Sequence, residues 1–330
     1  MMNQCEELFN DFRSLKVGVI GDVMLDTYIW GKVDRISPEA PVPVVSLHHK
    51  EQRIGGAGNV ALNCSSLGAK VFILGITGND EQADELDVLL KENMIDTTGL
   101  VRSAKRMTTN KTRIISRNQQ MMRLDAEIIH DIDNNDEKAL LKKIAEFIAH
   151  EDPNILIFED YNKGVLTEKV IEETIALCRA SGVITAVDPK RKNFFSYKGV
   201  DIFKPNMKEV QEGLNLLFES TDIYQLRNIH DQLHKHLEHK VSLITLSEKG
   251  IFYQQLQNAA IIPSHLRTVA DVSGAGDTVI AVAAMVYAAT RNAHMMAEIA
   301  NIAGGLVCEE VGTVAVDREK LLRECELLLS

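Results

Sequence analysis

Several features that mark other classes of protein are scarce in this sequence of 330 residues. Cysteine occurs five times, and no two cysteines have metal-ligand spacing, which favours a reducing compartment. Proline occurs only seven times, and no proline- or serine-rich stretch divides the chain into separate domains. The longest apolar run, residues 279–289, is too short to cross a bilayer. These absences predict a single-domain cytoplasmic protein without a membrane partner.

Positive charge is also in short supply. The chain has 36 lysines and arginines against 47 aspartates and glutamates, so its formal net charge is −11. Nucleic acids and anionic membranes require a basic surface, and we therefore expect neither as a partner. The first residues, Met1 to Glu7, are acidic where a secretory signal would be basic, which again favours the cytoplasm.

Short β-branched runs alternate with longer amphipathic segments along most of the chain. The strand-like runs are residues 17–20, 71–74, 155–158, 183–187 and 241–246, and the helix-like segments are residues 57–67, 82–92, 137–150, 168–179 and 224–236. Strands that alternate with helices at this spacing require right-handed crossovers between parallel strands. The pattern predicts an α/β fold with a mostly parallel central sheet.

Two stretches interrupt this rhythm and predict a small β lid at about residues 28–50 and 100–125. The first contains Pro38, Pro41 and Pro43 among valines, as suits an edge strand. The second consists of two polar strand-like runs that join near Asn118, and residues 100–124 contain no acidic side chain. Its basic residues are Arg102, Lys105, Arg106, Lys111, Arg113, Arg117 and Arg123.

This basic stretch suggests a binding site for an anion. Side chains alternate along a strand, so Lys111, Arg113 and Arg117 are expected on one face. In an acidic protein such a face attracts anions, and arginine suits a phosphate especially well. An ordinary solvated surface explains the same pattern, and the residues alone leave both interpretations open.

The strongest motif in the sequence is the segment Asp271 to Thr278, which precedes a long apolar helix-like run. Gly274, Ala275 and Gly276 allow close approach of the backbone, and the free amides of a starting helix attract an anion. Asp277 then lies on the first turn, where it is suited to accept a proton from an attacking hydroxyl. A helix cap is the alternative role for this aspartate. We expect a strand at residues 268–270, directly before the motif.

A second glycine-rich helix start lies at residues 55–60. Its spacing does not fit a dinucleotide fingerprint, and the chain has no Gly-x-x-x-x-Gly-Lys-Ser/Thr loop, so a P-loop enzyme is disfavoured. We interpret Gly55, Gly56 and Asn59 as residues that line a pocket for a polyhydroxy ligand.

Together these motifs resemble the two signatures of the ribokinase-like (PfkB) carbohydrate kinases. Asn206-Met207-Lys208-Glu209 is similar to the Asn-x-x-Glu element of that family, and Thr245 to Gly250 resembles its nucleotide-side strand end. Residues 19–26, 35–45, 116–125, 160–164 and 188–190 are similar to the family's heptose 7-phosphate kinases. The resemblance extends from about residue 17 to residue 316.

The resemblance implies a three-layer sandwich and an ATP-dependent phosphorylation of a heptose 7-phosphate at O1, in ADP-heptose synthesis for the lipopolysaccharide core. Asp277 is implied as the base and residues 274–276 as the anion hole. Asp22 and Asp26 are implied to bind sugar hydroxyls together with Gly55, Gly56 and Asn59. The existing phosphate is implied to contact Lys111, Arg113, Arg117 and Arg123.

The resemblance also implies cofactors and a partner. Asn206 and Glu209 would organise Mg²⁺, partly through water, and the loop at Asp271 would take part in binding a monovalent cation. The nucleotide would be bordered by Thr245, Ser247, Gly250, Asn301 and Gly304, and Lys190 is a candidate phosphate contact that is equally well explained as a solvated loop residue. The exposed lid edge suggests a homodimer.

Two departures and two alternatives accompany this hypothesis. Glu159 stands where the resembling kinases usually have a small residue. The chain lacks a His-x-Gly-His motif, so no nucleotidyltransferase domain is expected and nucleotidyl transfer is assigned to a separate protein. A kinase for another sugar or sugar phosphate, or a non-catalytic regulator that binds sugar and nucleotide, remain the alternatives.

Overall fold

A computed structural model describes residues 4–117, 119–216, 221–265 and 267–329. The strands are β1 (Lys16–Gly21), β2 (Val23–Ile36), β3 (Pro43–Gly56), β4 (Lys70–Gly78), β5 (Ile95–Ser103), β6 (Thr109–Ser116), β7 (Gln119–Ala126), β8 (Ile155–Glu159), β9 (Ile184–Asp188), β10 (Ile202–Phe203), β11 (Val241–Thr245), β12 (Ile251–Gln255) and β13 (Asn258–Ile262). The α-helices are α1 (Gln4–Asp11), α2 (Ala57–Ser66), α3 (Glu81–Glu92), α4 (Asn134–Glu151), α5 (Glu168–Ser181), α6 (Met207–Leu214), α7 (Ile223–Leu237), α8 (Ala275–Thr290), α9 (Ala293–Val307) and α10 (Arg318–Leu328).

The central sheet has the strand order β13-β12-β11-β10-β9-β8-β1-β4-β5. All the neighbouring pairs in the row β11-β10-β9-β8-β1-β4-β5 are parallel. Strand β12 is antiparallel to both of its neighbours, β11 and β13. The prediction of an α/β fold with a mostly parallel sheet is therefore confirmed. The five strand-like runs and five helix-like segments of the alternating pattern all overlap strands and helices of the same type.

Alternating side chains divide the core into two halves, one on each face of the sheet. On β8, Ile155 and Ile157 pack on the side of α1, α2, α3, α8, α9 and α10, whereas Leu156 and Phe158 pack on the side of α4, α5, α6 and α7. This arrangement is the three-layer sandwich that the resemblance implied. Since helices cover both faces, inner strands such as β1, β4 and β8 are buried on both faces along most of their length and do not alternate in polarity.

A second sheet of four strands, in the order β3-β2-β6-β7, forms the lid. Strands β2 and β3 are antiparallel and 14 residues long, and β6 pairs in parallel with β2. The predicted second lid segment begins too early, because residues 100–103 belong to β5 of the central sheet. Asn118, where the two lid runs were expected to join, lies outside the described residues.

The carboxyl ends of the parallel strands meet at the edge of the sheet where α8 begins. Residues 268–270 precede this helix, but they do not form the expected strand, and Ala270 instead donates a backbone hydrogen bond to the carbonyl of Cys308 at 2.8 Å. Among the described residues, no helix is long and apolar enough to cross a bilayer.

Candidate active site

A cavity of about 240 Å³ lies between the lid and the start of α8. Its lining residues are Met24, Asp26, Gly56, Lys111, Arg113, Arg123, Tyr161, Ser273, Gly274, Asp277 and Thr313. The cavity therefore combines part of the predicted catalytic end and part of the predicted sugar site with most of the predicted phosphate site. A larger recess of about 610 Å³ lies near Tyr253, Gln255 and Arg291, at the other end of the sheet, and none of the predicted site residues lines it.

Asp277 lies in the first turn of α8 and is only 5% exposed. Its Oδ2 accepts a hydrogen bond from Asn59 Nδ2 at 2.7 Å, and its Oδ1 accepts one from the Tyr161 hydroxyl at 2.8 Å. Burial raises the pKa of Asp277 to about 6, although these two donors act in the opposite direction. The pKa of Asp277 thus lies closer to neutral pH than that of an ordinary aspartate, as suits a general base.

The start of α8 has the geometry expected of an anion-binding helix terminus. Gly274 is its N-cap residue and has φ 79°, a left-handed conformation that favours glycine. The Ala275 amide donates to the carbonyl of Val272 at 3.3 Å, so it is partly engaged. A Cβ atom on Gly276 would lie 3.5 Å from Lys204 Nζ, which brings a buried cation to this turn.

Behind Asp277 lies a buried group of carboxyl and ammonium side chains. One carboxyl oxygen each from Glu159, Asp188 and Asp277 lies within 4.8 Å of the others. Lys204 Nζ lies 2.6 Å from Asp188 Oδ2, and Lys190 Nζ lies 3.3 Å from Asp188 Oδ1. These lysines neutralise Asp188 and leave Glu159 without a comparable partner in the part of the chain that the structure describes.

Of the residues predicted to bind sugar, Asp22, Gly55 and Asn59 are buried and do not line the cavity. Asn59 is fully buried and donates to Asp277, so its position suits orientation of the carboxylate rather than contact with a sugar. Asp22 is 1% exposed and accepts hydrogen bonds from the backbone amides of Tyr161, Lys163 and Val165. It therefore fixes the loop that carries Tyr161. The sequence motif identified both residues without indicating that they face inward.

The junction of β3 and α2 lies against the predicted sugar site. Gly56 has φ 58°, and a Cβ atom there would lie 2.3 Å from the carbonyl oxygen of Asp22. At Gly55, a Cβ atom would lie 2.5 Å from Asp26 Oδ2. Any larger residue at either position would displace the strand end or the Asp26 carboxylate.

The basic lid residues are compensated by acidic neighbours. Arg113 pairs with Asp26, and Arg123 binds Asp125 through Nε at 2.8 Å. Lys111 lies opposite Asp125 in the β6–β7 pair, with its Nζ 3.2 Å from Glu127. The acid-free stretch of the sequence ends at residue 124, so it gave no sign of these partners.

Arg117 does not line the cavity, contrary to the expectation that it shares a face with Lys111 and Arg113. The register of the β6–β7 pair shifts between Ile114 and Ile115, and the shift interrupts the alternation on which that expectation rested. Arg117 instead occupies the turn after β6 with φ 50°.

The predicted nucleotide side begins at the N-terminus of α6. Asn206 and Glu209 form a capping box, in which Asn206 Oδ1 accepts from the Glu209 amide at 2.9 Å and Glu209 Oε2 accepts from the Asn206 amide at 2.8 Å. Lys190 Nζ donates to Glu209 Oε1 at 2.6 Å. Lys190 is therefore an internal partner of these carboxylates rather than a solvated loop residue, and its pKa is raised by Asp188 and Glu209 against the effect of burial.

The remaining nucleotide-side residues lie around the end of β11. Thr245 forms an isolated bridge with Asn206, and Ser247 follows it with φ 55°. A Cβ atom on Gly250 would collide with the carbonyl of Ile262, and Asn301 Nδ2 donates to the carbonyl of the next residue, Pro263, at 2.8 Å. Gly304 lies on the same helix as Asn301, where a Cβ atom would lie 2.7 Å from Val279.

The Asp271 carboxylate organises the loop before α8. Its Oδ1 accepts from the amide and hydroxyl of Ser273, and its Oδ2 accepts from the Gly312 amide at 2.9 Å. These hydrogen bonds lower its pKa, although partial burial acts in the opposite direction. A cation at this loop would meet a fixed, ionised carboxylate.

Comparison with known families agrees with this geometry. The model of the pfkB family carbohydrate kinases matches residues 14–320. The chain belongs to this family. As a pfkB carbohydrate kinase, it is an enzyme that phosphorylates a sugar.

Individual relatives narrow the comparison. The chain is 39% identical over 303 residues to the bifunctional protein HldE of Aliarcobacter butzleri, and 40% identical over 308 residues to that of Methylobacillus flagellatus. These matches cover 92% and 93% of the chain but only 63% and 62% of the relatives. The pfkB kinase chain thus spans less than two thirds of the length of these curated relatives.

Solved structures show the same fold. Phosphofructokinase-2 from Escherichia coli in complex with potassium superposes with a TM-score of 0.78 at 16% identity, covering 96% of this chain and 99% of that one. Ribokinase from Arabidopsis thaliana, complexed with ribose and ATP, gives a TM-score of 0.72 at 16% identity, covering 94% and 99%. The ribokinase-like fold of this pfkB kinase is therefore established.

Sequence reasoning missed several residues at the site. Met24, Tyr161, Ser273 and Thr313 line the cavity, and Lys204 lies directly behind it. Ser273 was within the recognised motif, and Tyr161 lay in a block that resembled heptose kinases. Met24 likewise lay in such a block, residues 19–26. Nothing in the sequence marked Thr313 or Lys204, because their placement depends on contacts between distant segments.

Proposed function

We propose that this kinase transfers the γ-phosphoryl group of ATP to O1 of a heptose 7-phosphate and yields heptose 1,7-bisphosphate and ADP. The observation that carries the proposal is that one cavity is lined both by Gly274 and Asp277 at the start of α8 and by Lys111, Arg113 and Arg123 on the lid. A substrate with a hydroxyl at one end and a phosphate at the other matches this distribution. The similarity to bifunctional HldE proteins supports the choice of a heptose.

In this mechanism Asp277 accepts the proton of the O1 hydroxyl while the oxygen attacks the γ-phosphorus. The new O–P bond forms as the bond between the γ-phosphorus and the β,γ-bridging oxygen breaks, and ADP leaves. Asn59 and Tyr161 hold the two oxygens of the base. Because a carboxylate is a weak base, proton transfer comes late, and positioning contributes most of the rate acceleration.

Charge on the moving phosphoryl group is stabilised by the start of α8. The first amides of a helix have no intrahelical acceptors and point out of its N-terminal end, where the positive pole of the helix dipole lies. Lys204, 2% exposed, adds a positive charge beside Gly276. These groups are fixed before the substrate arrives, so little reorganisation accompanies transfer.

Asn206 and Glu209 are the residues that would hold Mg²⁺. Their side-chain oxygens are hard ligands, and each is already oriented by the capping box, so they fit an ion bound partly through water. When bound, Mg²⁺ neutralises charge on the β- and γ-phosphates. We place a monovalent cation, by the same reasoning, at the loop that the ionised Asp271 organises.

An assay of ADP release against a panel of sugars tests the proposal directly. The panel should contain heptose 7-phosphates, hexose phosphates and the corresponding free sugars, and the position of the new phosphate should be determined by ³¹P NMR. We expect the highest kcat/KM for a heptose 7-phosphate with the new phosphate on O1. Preference for a hexose phosphate would favour a different kinase of the family, and binding without ADP release would favour a regulator.

The pH dependence of this reaction follows from the environment of Asp277. The base must be ionised, and its pKa is raised to about 6 by burial. The value of kcat/KM should therefore level off as the pH rises through this pKa and fall about tenfold per pH unit below it. Asp160, whose pKa burial also raises to about 6, lies outside the cavity lining and provides the matched control. In Asp160→Asn the fall of kcat/KM at acid pH should remain. If it disappeared, the fall would be due to Asp160, and its assignment to Asp277 would be wrong.

We further propose that the kinase forms a homodimer through the lid and acts in the cytoplasm, where ATP is available. Large apolar side chains on the lid are exposed, among them Ile36, Leu47 and Met122 at 61%, 62% and 54%. Leu47→Glu should shift the dimer toward the monomer in sedimentation velocity. An unchanged sedimentation coefficient, or a monomeric parent protein, would contradict this interface. Val88→Glu, on the surface of α3, provides the control because it changes an equally exposed apolar residue outside the lid.

A further inference from the structure

The buried carboxyl group of Glu159 has no role in the reaction described above. Glu159 ends β8, and its side chain is fully buried. Neither of its two carboxyl oxygens has a hydrogen-bond partner among the described residues. Since an unpaired buried carboxylate is strongly unfavourable, the side chain either carries a proton or contacts a group that compensates its charge.

The neighbours of Glu159 decide which of the three carboxyl groups carries the proton. Asp188 is hydrogen-bonded to Lys204 at 2.6 Å and to Lys190 at 3.3 Å, so its ionised form is stabilised. Asp277 receives hydrogen bonds from Asn59 and Tyr161. Glu159 receives none, and a proton shared within this cluster therefore resides there.

Charged and titratable groups surround Glu159 on several neighbouring elements. They are Tyr161 after β8, Asp188 and Lys190 at and after β9, Lys204 after β10, Asp277 on α8 and the buried Tyr197. Burial, and then the negative charges of Asp188 and Asp277, raise the pKa of Glu159 well above its ordinary value. The two lysines oppose this effect and do not overcome it.

We propose that Glu159 is a neutral acid while the kinase turns over, and that it acts as a positioning residue by holding the one proton shared with Asp188 and Asp277. Its neutral form keeps a further negative charge away from the γ-phosphoryl group. Ionisation of Glu159 at alkaline pH would place that charge beside Asp277 and would lower turnover. The effect on turnover rests on the proposed kinase reaction, whereas the protonation state does not.

Infrared spectroscopy tests the protonation state without any sugar. In protein whose glutamates carry ¹³C at Cδ, a protonated carboxyl band should be present at about pH 8, where ordinary glutamates are ionised. The band should be absent from Glu159→Gln. A wild-type spectrum without this band would overturn the proposal, because Glu159 would then be ionised and compensated by a cation. The wild-type measurement is decisive even if the variant does not fold.

The pH profile of turnover tests the consequence. In the wild type, kcat should fall at alkaline pH, and the midpoint of this fall should move up by about one pH unit or more in Glu159→Gln. Glu159→Leu, which is neutral and similar in size, should behave in the same way if it folds. If the fall of kcat at alkaline pH were unchanged in both variants, ionisation of Glu159 would not be its cause. If no sugar is phosphorylated, the kinase proposal fails, and the infrared result still stands.

Discussion

Asp277→Asn should lower kcat by about 10³-fold, because the substituted amide does not accept the proton of the attacking hydroxyl. The change is nearly isosteric and removes no buried volume. Affinity for ATP should be nearly unchanged, because the amides at the start of α8 remain in place. Single-turnover measurement of ADP release, together with calorimetric titration of ATP, separates the two effects.

A matched control for this experiment is Asp231→Asn on the exposed surface of α7, which makes the same chemical change far from the cavity. Turnover of the control should equal that of the wild type. If Asp277→Asn retained near-native kcat, Asp277 would be only a buried helix-terminal residue, and the mechanism proposed for the site would be wrong.

Replacing Lys111 by methionine and Arg123 by leucine should raise KM for a heptose 7-phosphate by roughly 10²-fold, since each charge-assisted hydrogen bond contributes about 1.5–3 kcal/mol. Removal of these cations also leaves Asp125 uncompensated, and its negative charge would repel the phosphate, whereas Glu127 keeps its ion pair with Lys163 at 2.7 Å. The effect on kcat should be smaller. Steady-state kinetics with the phosphorylated and the free sugar resolve the loss.

Arg117→Leu provides the control for the phosphate site, because it removes the same charge from the lid at a position outside the cavity. Its KM should be unchanged. A double variant that lost affinity equally for free sugar and for sugar phosphate would show that Lys111 and Arg123 support the lid rather than recognise a phosphate.

Local sequence signals were sufficient to predict the scaffold and the start of helix α8, where Asp277 lies. The alternation of β-branched runs with amphipathic segments identified the parallel strands. The Gly274-Ala275-Gly276-Asp277 motif identified the start of the helix. Such signals depend on residues that are neighbours in the chain. They work where the predicted site residues are concentrated in one turn, as they are at the start of α8.

Signals of this kind fail where a role depends on distant residues. Whether Asn59 faces a ligand or Asp277 is decided by the packing of α2 against α8, not by the residues next to it. Likewise, Lys111 is compensated by Asp125 only because β6 and β7 form an antiparallel pair. The resemblance to a family gave the correct neighbourhood for these side chains but not their orientation.

The two ends of the cavity differ in how readily they accommodate change. Helix α8 is buried from Asp277 to Tyr287, so a substitution near the phosphoryl-donor end also perturbs the core. Strand β7 of the lid, by contrast, is exposed along its whole length, so a substitution there perturbs the core less. If the proposed function is right, substitutions on the lid can change the preferred acceptor with little loss of stability. Substitutions near the start of α8 are limited by their effect on folding.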